Sequence, residues 1–248
     1  MKVMKISDCA AFLQTSHRDQ QALLASDVEL TDLTQNTKTV KAGSCFVAIK
    51  GQHFDGHEHV QEVVNAGAKM IVVERPVKIT GAVLVVTVPN TYKALAELST
   101  RFFNDPSQDL LMFGVTGTNG KTTITHLIEK IMTDHGVQTG IIGTMYSKVG
   151  TKKLPAVNTT PEPYAAQKTL SEMVKAKDQA CAMEVSSIAL VQGRTWGIDF
   201  DTAIFTNLTE DHLDYHKTFE NYFDAKALLF SQLGNSYHRG AKKKTAVI

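Results

Sequence analysis

Lys121 and Thr122 stand near the end of the run Gly117-Thr118-Asn119-Gly120-Lys121-Thr122-Thr123, and these residue types in this order suit the binding of a polyphosphate. Glycines let successive backbone N–H groups turn toward one anion, a lysine brings a mobile positive charge to the β- and γ-phosphates, and the Thr122 hydroxyl can ligate Mg2+. The strict pattern G-x-x-x-x-G-K-[ST] requires glycine at 115. Here Val115 stands there, Gly114 comes one place early and Gly117 falls inside the loop, so the loop is a variant. A chance glycine-rich turn is the plain alternative, and the flanking segments weigh against it.

Further chemistry-bearing residues follow apolar runs. Glu184 ends Ala180-Cys181-Ala182-Met183, and a carboxylate at a strand end beside a phosphate loop is the usual second support for Mg2+ on a nucleotide. Taken alone it could equally be an ordinary strand-end acid. After Thr202-Ala203-Ile204-Phe205 comes Thr206-Asn207-Leu208-Thr209-Glu210-Asp211-His212-Leu213-Asp214-Tyr215-His216, with three acids and two histidines in seven residues from Glu210. Some of these belong to the surface, but such polar density after a strand suits a loop bearing metal or substrate contacts.

The elements that must position these groups read as two successions of strands and helices. Leu110 to Val115 predicts a strand, and the helix of residues 122 to 135 after the loop carries Ile124, Leu127, Ile128 and Ile131 as one apolar stripe. His126, Glu129, Lys130 and Asp134 are left to face outward, and Gly136 supplies a stop. The loop therefore sits at a helix N-terminus, where amides and dipole favour phosphate. Strands at 139–143, 180–185, 202–206 and from Ala246, with helices near 162–176 and 218–233, complete this half. The amino-terminal half reads as a short helix from an Ser7 N-cap through Phe12 and Leu13 and a polar segment Thr31 to Lys41. Strands follow at Cys45–Ile49, Met70–Val73 and Val83–Val88, and helices at His57–Ala66 and Tyr92–Phe103. Asn104-Asp105-Pro106-Ser107 marks the boundary, giving domains 1–105 and 106–248. The fold class is α/β: a small amino-terminal α/β domain, then a P-loop-type domain with a largely parallel sheet flanked by helices, its ligand crevice at the strand carboxyl ends.

Composition agrees with a soluble enzyme: 43% hydrophobic, 21% charged and a formal net charge of +1 across 248 residues, which leaves no global pull toward nucleic acid or anionic membrane. Lys242-Lys243-Lys244 reads as a solvated turn. Cys9, Cys45 and Cys181 lack C-x-x-C spacing and lie in apolar segments, as buried thiols of a reducing cytosol would; no zinc site is suggested. No stretch approaches the roughly 18 apolar residues of a membrane helix. A cytoplasmic location is expected.

The ordered set Thr116 to Thr123, Asn158-Thr159-Thr160-Pro161-Glu162, Met183-Glu184-Val185-Ser186-Ser187, Thr206-Asn207-Leu208, Asp211 to His216 and Asp224-Ala225-Lys226 resembles the Mur ligases, nearest to their tripeptide-synthetase (MurE-type) branch. Asn158 to Glu162 distinguishes that branch best. Thr34-Gln35-Asn36-Thr37-Lys38 resembles the family's T-x-D-S-R uridine-nucleotide segment, followed by Gly43 to Ala48 and Gly51. Two departures from the family pattern stand out. Asn36, Thr37 and Lys38 replace Asp, Ser and Arg, so a carboxylate and a forked donor are lost, and Ile188 stands where the family usually has histidine.

The resemblance implies ATP-driven amide synthesis: a carboxylate of UDP-MurNAc-L-Ala-D-Glu is phosphorylated, and the amine of a dibasic amino acid, L-lysine or meso-diaminopimelate, displaces phosphate. It implies partners UDP-MurNAc-dipeptide, ATP and the amino acid, with Mg2+ as cofactor and neither nucleic acid nor membrane. Gly117, Thr118, Asn119, Gly120, Lys121, Thr122, Thr123 and Asn207 would bind ATP, with Lys121, Glu184, His212 and Lys226 catalytic. Thr122 and Glu184 would hold Mg2+ on the nucleotide. His212 and Lys226 would serve a second metal, Lys226 as its carbamate, since an ammonium cannot ligate a cation. Asp224 to Leu229 alone would instead make Lys226 a solvated helix lysine. Thr37 and Lys38 would meet the uridine nucleotide, while Thr159, Thr160, Ser186 and Arg194 would meet the rest of the substrate; a cap on the helix after Pro161 is the competing role for Thr160. The resemblance also implies that the family's central domain is incomplete here and its carboxyl-terminal domain absent, so that this chain alone is poorly active. Two other readings stay open: a P-loop kinase or ATPase, and a non-catalytic module that only binds nucleotide or UDP-sugar.

Overall fold

The computed structural model describes residues 3–51, 54–234 and 243–248. The chain forms two compact units that divide between Phe103 and Asn104. Asn104 and Asp105 both have positive φ, 63° and 48°, a conformation their short polar side chains tolerate, and Pro106 then opens a 3-10 turn through Asp109.

The first unit is organised by a four-stranded parallel sheet in the order β3 (Asp32–Thr34), β4 (Ser44–Val47), β5 (Met70–Val73), β6 (Leu84–Thr87). A short pair, β1 (Met4–Lys5) and β2 (Glu29–Leu30), precedes it, with α1 (His17–Leu24) between them. Helices α2 (Val60–Asn65) and α3 (Thr91–Phe102) connect or follow the strands. β4 and β5 are buried at every residue, as parallel strands covered on both faces should be, which is why, apart from Ser44, they read as apolar runs. Asn90 caps α3 by accepting from the Lys93 amide at 2.8 Å. Ser7 does not cap a helix. It lies inside a 3-10 segment Ile6–Ala11 whose preceding residue, Lys5, offers no side-chain cap.

The second unit is a seven-stranded sheet, and its order runs β10 (Lys152–Pro155), β9 (Tyr146–Val149), β8 (Thr139–Ile142), β11 (Ala180–Glu184), β7 (Leu111–Thr116), β12 (Thr202–Phe205), β13 (Thr245–Val247). The five strands from β8 to β13 are parallel; β9 and β10 form an antiparallel hairpin at one edge. Its outermost strand is exposed throughout and carries Lys152 and Lys153, a charged edge that discourages further pairing. Helices α4 (Lys121–Asp134), α5 (Pro163–Lys175), α6 (Ser187–Val191), α7 (Leu213–His216) and α8 (Phe219–Ser231) lie in the connections. Leu110, Met112, Met173, Met183, Phe200 and Leu229 are among the side chains of the core.

Several details depart from the periodicity. In α4 the stripe is only partly covered: Ile124 and Ile128 are half-buried, Leu127 and Ile131 are 50% and 56% exposed, and Thr125 is the fully buried residue. His126, expected outside, turns in, its Nδ1 2.7 Å from the Thr122 carbonyl and its Nε2 3.0 Å from the Tyr146 hydroxyl. Glu129 likewise pairs with Lys148 of the edge hairpin. Lys244 is no solvated lysine: its ammonium bridges the buried carboxylates of Asp199 at 2.7 Å and Asp201 at 3.1 Å. Lys242 lies outside the described residues. All three cysteines are buried free thiols; burial is the main cause that pushes Cys9 up to about 12 and raises Cys45 and Cys181. Among the described residues no helix is long and apolar enough to cross a membrane.

Candidate functional site

β7 ends at Thr116, and the chain must reverse into α4 within four residues. Gly117 at φ 142° and Gly120 at φ 85° make that reversal. A Cβ on Gly117 would stand 1.9 Å from Thr206 Oγ1, so the position excludes any side chain. Gly120 is the residue preceding α4, and no side chain caps this helix, unlike α3, α6 and α8, whose N-caps are Asn90, Ser186 and Thr218. Its first amides are thus left to an external acceptor, and the helix dipole favours an anion there.

The loop is clamped from β12. Thr206 Oγ1 donates to the Asn119 carbonyl at 2.6 Å; Asn207 Oδ1 accepts from the Asn119 amide at 2.9 Å, and its own carbonyl accepts from the Thr118 amide at 3.0 Å. Asn207, expected at the nucleotide, has its amide side chain engaged with the loop backbone. Lys121 Nζ folds over the loop and donates to the Gly117 and Thr118 carbonyls, both at 2.9 Å. Burial lowers its pKa, opposed by the charges of Glu184 and Asp211.

Glu184, at the carboxyl end of β11, is 1% exposed. Thr122 Oγ1 donates to its Oε2 at 2.9 Å, so the Thr122 lone pairs face away from the carboxylate. The Thr144 amide donates to Oε1 at 2.9 Å and the Thr144 hydroxyl to Oε2 at 3.0 Å. A hydroxyl and a carboxylate side by side beneath an uncapped helix N-terminus form a donor set of hard oxygens, the kind Mg2+ takes.

Lys226 is buried too, 1% exposed, which overturns the solvated-helix alternative. Its Nζ donates to the Gly117 carbonyl at 2.8 Å and lies 4.3 Å over the Tyr222 ring. Burial first, and then the like charge of Lys121, push Lys226 down to about 7, with Asp211 opposing. Tyr222 also meets Thr118 Oγ1 through its hydroxyl at 3.1 Å, and its ring lies 6.3 Å from that of His212 and 5.2 Å from that of His216. His212 is half exposed, at φ 53°, 3.7 Å from Asp211. Thus His212 and Lys226 border one aromatic ring. Among the described residues, however, no group of three or more His, Cys, Asp or Glu side chains converges as a metal cluster.

Residues 115–241 match the model of the Mur ligase middle domain, and residues 29–103 match that of the Mur ligase family catalytic domain. The chain belongs to the Mur ligase family. A UDP-N-acetylmuramoyl-L-alanyl-D-glutamate--2,6-diaminopimelate ligase of Lactiplantibacillus plantarum is 52% identical over 228 residues, covering 92% of this chain and 46% of that protein. A ligase of the same name from Halalkalibacterium halodurans is 50% identical over 209 residues, 84% of this chain and 43% of its own. The solved structure of a ligase of that name superposes with a TM-score of 0.73 at 25% identity, covering 93% of this chain and 45% of that one. The chain spans about half the length of the curated relatives it matches.

In this Mur ligase chain the remaining flagged residues divide by what they touch. Thr159 reaches the site, its Oγ1 3.0 Å from Thr144 Oγ1. Thr160 is buried and its hydroxyl is spent internally: it donates to the Glu184 carbonyl at 3.0 Å and accepts from the Ser186 amide at 3.0 Å. It therefore presents no free hydroxyl, and it does not cap α5, whose N-cap position is Glu162. Ser186 accepts from the Ala189 amide at the start of α6. Arg194 Nε is 3.1 Å from Glu162 Oε1, and its Nη1 donates to the Thr160 carbonyl at 3.1 Å. In the first unit, Thr37 and Lys38 lie in a 3-10 turn that Asn36 caps, its Oδ1 accepting from the Lys38 amide at 3.0 Å. An amide oxygen does for that turn what a carboxylate would, so the Asn36 substitution keeps the backbone shape.

Thr144, Thr206 and Tyr222 were not singled out in the sequence as site residues. Thr144 and Thr206 follow the ends of β8 and β12, where the strand-end rule applies to them as it does to Glu184. Tyr222 stands four residues before Lys226 on one helix, a spacing that stacks the pair.

Proposed function

We propose that this Mur ligase chain carries the nucleotide site of an ATP-dependent ligase. It would join a carboxylate of UDP-MurNAc-L-Ala-D-Glu to the amine of a dibasic amino acid, a step of cytoplasmic peptidoglycan precursor synthesis that serves cell shape and division. The observation that carries this reading is the uncapped N-terminus of α4 behind a clamped loop, with Lys121 above it and the Thr122–Glu184 pair beside it. The names of the relatives favour 2,6-diaminopimelate over L-lysine as the added amino acid.

A carboxylate is a poor electrophile, and bringing it to a triphosphate is opposed by like charge. Loop amides and Lys121 offset that charge and hold the γ-phosphate for transfer, so that a carboxylate oxygen bonds to phosphorus and ADP leaves. The amine nitrogen then bonds to the acyl carbon, phosphate departs and the nitrogen loses its proton. Mg2+, held by the Thr122 oxygen and Glu184, would supply further neutralisation of the phosphates. Lys226, with its pKa near neutrality, has a share of free amine able to add to CO2 as a carbamate, whose oxygens with His212 would suit a second cation. Thr37 and Lys38 would take the uridine nucleotide, and Thr159, Ser186 and Arg194 the muramoyl peptide.

The test is ADP release by this chain, and by a form extended to the length of its relatives, with UDP-MurNAc-dipeptide and either amino acid. The reading expects no ADP without the carboxylate acceptor, about one ADP per site with the acceptor alone, and sustained release only when the amine is also present, faster in the extended form. ADP formed equally without them would instead mark a kinase or ATPase.

A further inference from the structure

We propose that Thr144 is a positioning residue that orients Glu184 and, through the same hydroxyl, sets the polarity with which Thr159 faces the substrate; the inference rests on the nucleotide-site reading above. Glu184 is buried, yet each of its oxygens is held by Thr144: Oε1 by the amide at 2.9 Å and Oε2 by the hydroxyl at 3.0 Å. Gly143 makes room for this, since a Cβ there would stand 2.2 Å from Oε1. Thr144 itself is exposed and lies outside the core, so core packing does not account for its place.

Proton counting gives the second half. A threonine hydroxyl has one proton, and an ionised carboxylate only accepts. The Thr144 proton is therefore committed to Glu184, and the 3.0 Å contact between Thr144 Oγ1 and Thr159 Oγ1 is satisfied only when Thr159 donates. Thr159 is left with lone pairs for a ligand. It selects a donor, such as a peptide N–H or a sugar hydroxyl, and not a carboxylate or phosphate oxygen. Thr122 is polarised by the same carboxylate, its proton on Oε2 and its lone pairs free for a cation. One buried acid thus turns two hydroxyls into acceptors, one toward a metal and one toward a substrate donor.

The experiment compares Thr144→Val, which removes the hydroxyl and keeps the branched Cβ and the amide, with Thr144→Ser, which keeps the hydroxyl. For each full chain, calorimetry measures binding of a non-hydrolysable ATP analogue as Mg2+ is titrated, and binding of UDP-MurNAc-dipeptide. Losing one hydrogen bond to a charged group should raise the Mg2+ needed for half-maximal nucleotide binding about tenfold or more in the valine variant. Dipeptide binding should weaken several-fold as the Thr159 proton is released, and Thr144→Ser should stay within about twofold of the parent on both measures. Nucleotide affinity without Mg2+ should not move, and the melting temperature should fall only by the few degrees that one lost hydrogen bond costs, leaving the chain folded at the assay temperature, which separates positioning from a structural defect. If the valine variant is unfolded at the assay temperature, Thr144→Ala is measured in its place against the same expectation. An unchanged Mg2+ requirement overturns the proposal and leaves the nucleotide site standing. Absence of any Mg2+-dependent nucleotide binding in the parent chain overturns the site reading, and this proposal with it.

Discussion

Gly117→Ala is the sharpest perturbation of the loop. The residue sits at φ 142°, and an added Cβ meets Thr206 Oγ1 at 1.9 Å and the Asn207 backbone at 3.1 Å. Forcing a side chain into this backbone region costs about 1–3 kcal/mol. Driving Thr206 Oγ1 aside also breaks its bonds to the Asn119 and Thr116 carbonyls, adding about 1 kcal/mol net. The total of about 2–4 kcal/mol divides in one of two ways. A loop that keeps its shape stores the strain in the folded state, lowering Tm by about 2–4 °C for each kcal/mol. A loop that relaxes leaves Tm in place, and nucleotide affinity then falls about 30- to 1,000-fold, because the competent conformation has become a minor one. Calorimetric nucleotide titration and thermal melts on the same sample add the two parts. Thr206→Ala supplies the internal check: with Oγ1 gone, Gly117→Ala should cost less than it does in the parent by about 1 kcal/mol or more. A combined loss below about 1 kcal/mol, or strict additivity in the double variant, would refute the claim that glycine is required by the Thr206 contact.

Lys226 is held at about 7 against the ordinary lysine value, so between pH 7 and about 10.5 the unfolded chain binds one proton more at this site and stability rises with pH. Lys226→Met should flatten that slope in melts taken from pH 6 to 10, and an unchanged slope would show that the buried amine is not depressed. Thr160→Val leaves the Ser186 amide and the Glu184 carbonyl without their partner, for a loss of about 2–4 kcal/mol and a Tm lower by about 5–15 °C, while Thr160→Ser keeps most of the stability. Residues 1–105 expressed alone should fold and bind UDP or UDP-MurNAc; calorimetry that finds a folded fragment with no binding at millimolar ligand would remove the uridine site from Thr37 and Lys38.

Legibility followed burial. β4, β5 and β11 are covered on both faces, so apart from Ser44 and Glu184 at strand ends their sequences are apolar runs, and their ends read to within a residue or two. The 146–155 hairpin was invisible because its strands are half-buried or exposed, and exposed strands impose no apolar period. α4 misled in the other direction. Its Ile/Leu stripe is strong, but Thr125 is its one fully buried residue; Ile124 and Ile128 are half-buried, and Leu127 and Ile131 are half exposed. Periodicity shows that a helix has an apolar side; it does not show how much of that side is covered.

The site divides along a similar line. Gly117, Gly120, Lys121 and Thr122 could be recognised because phosphate binding demands those residue types within one contiguous stretch. Glu184 and Thr159 were candidates in the sequence and Thr144 was not, because only the parallel alignment of β8 beside β11 brings the residue after one strand to the carboxylate that ends the other. Lys226 shows the limit most clearly. Its own segment reads as a solvated helix, yet α8 packs so that this ammonium lies against the Gly117 carbonyl, beneath the same loop that Lys121 covers. Two lysine amines thus share one carbonyl, with Glu184 and Asp211 as the opposing charges. Burial first, and then the like charge of Lys121, disfavours a proton on Lys226, and an incoming polyphosphate would favour it again, so the depressed pKa marks the arrangement before any ligand arrives.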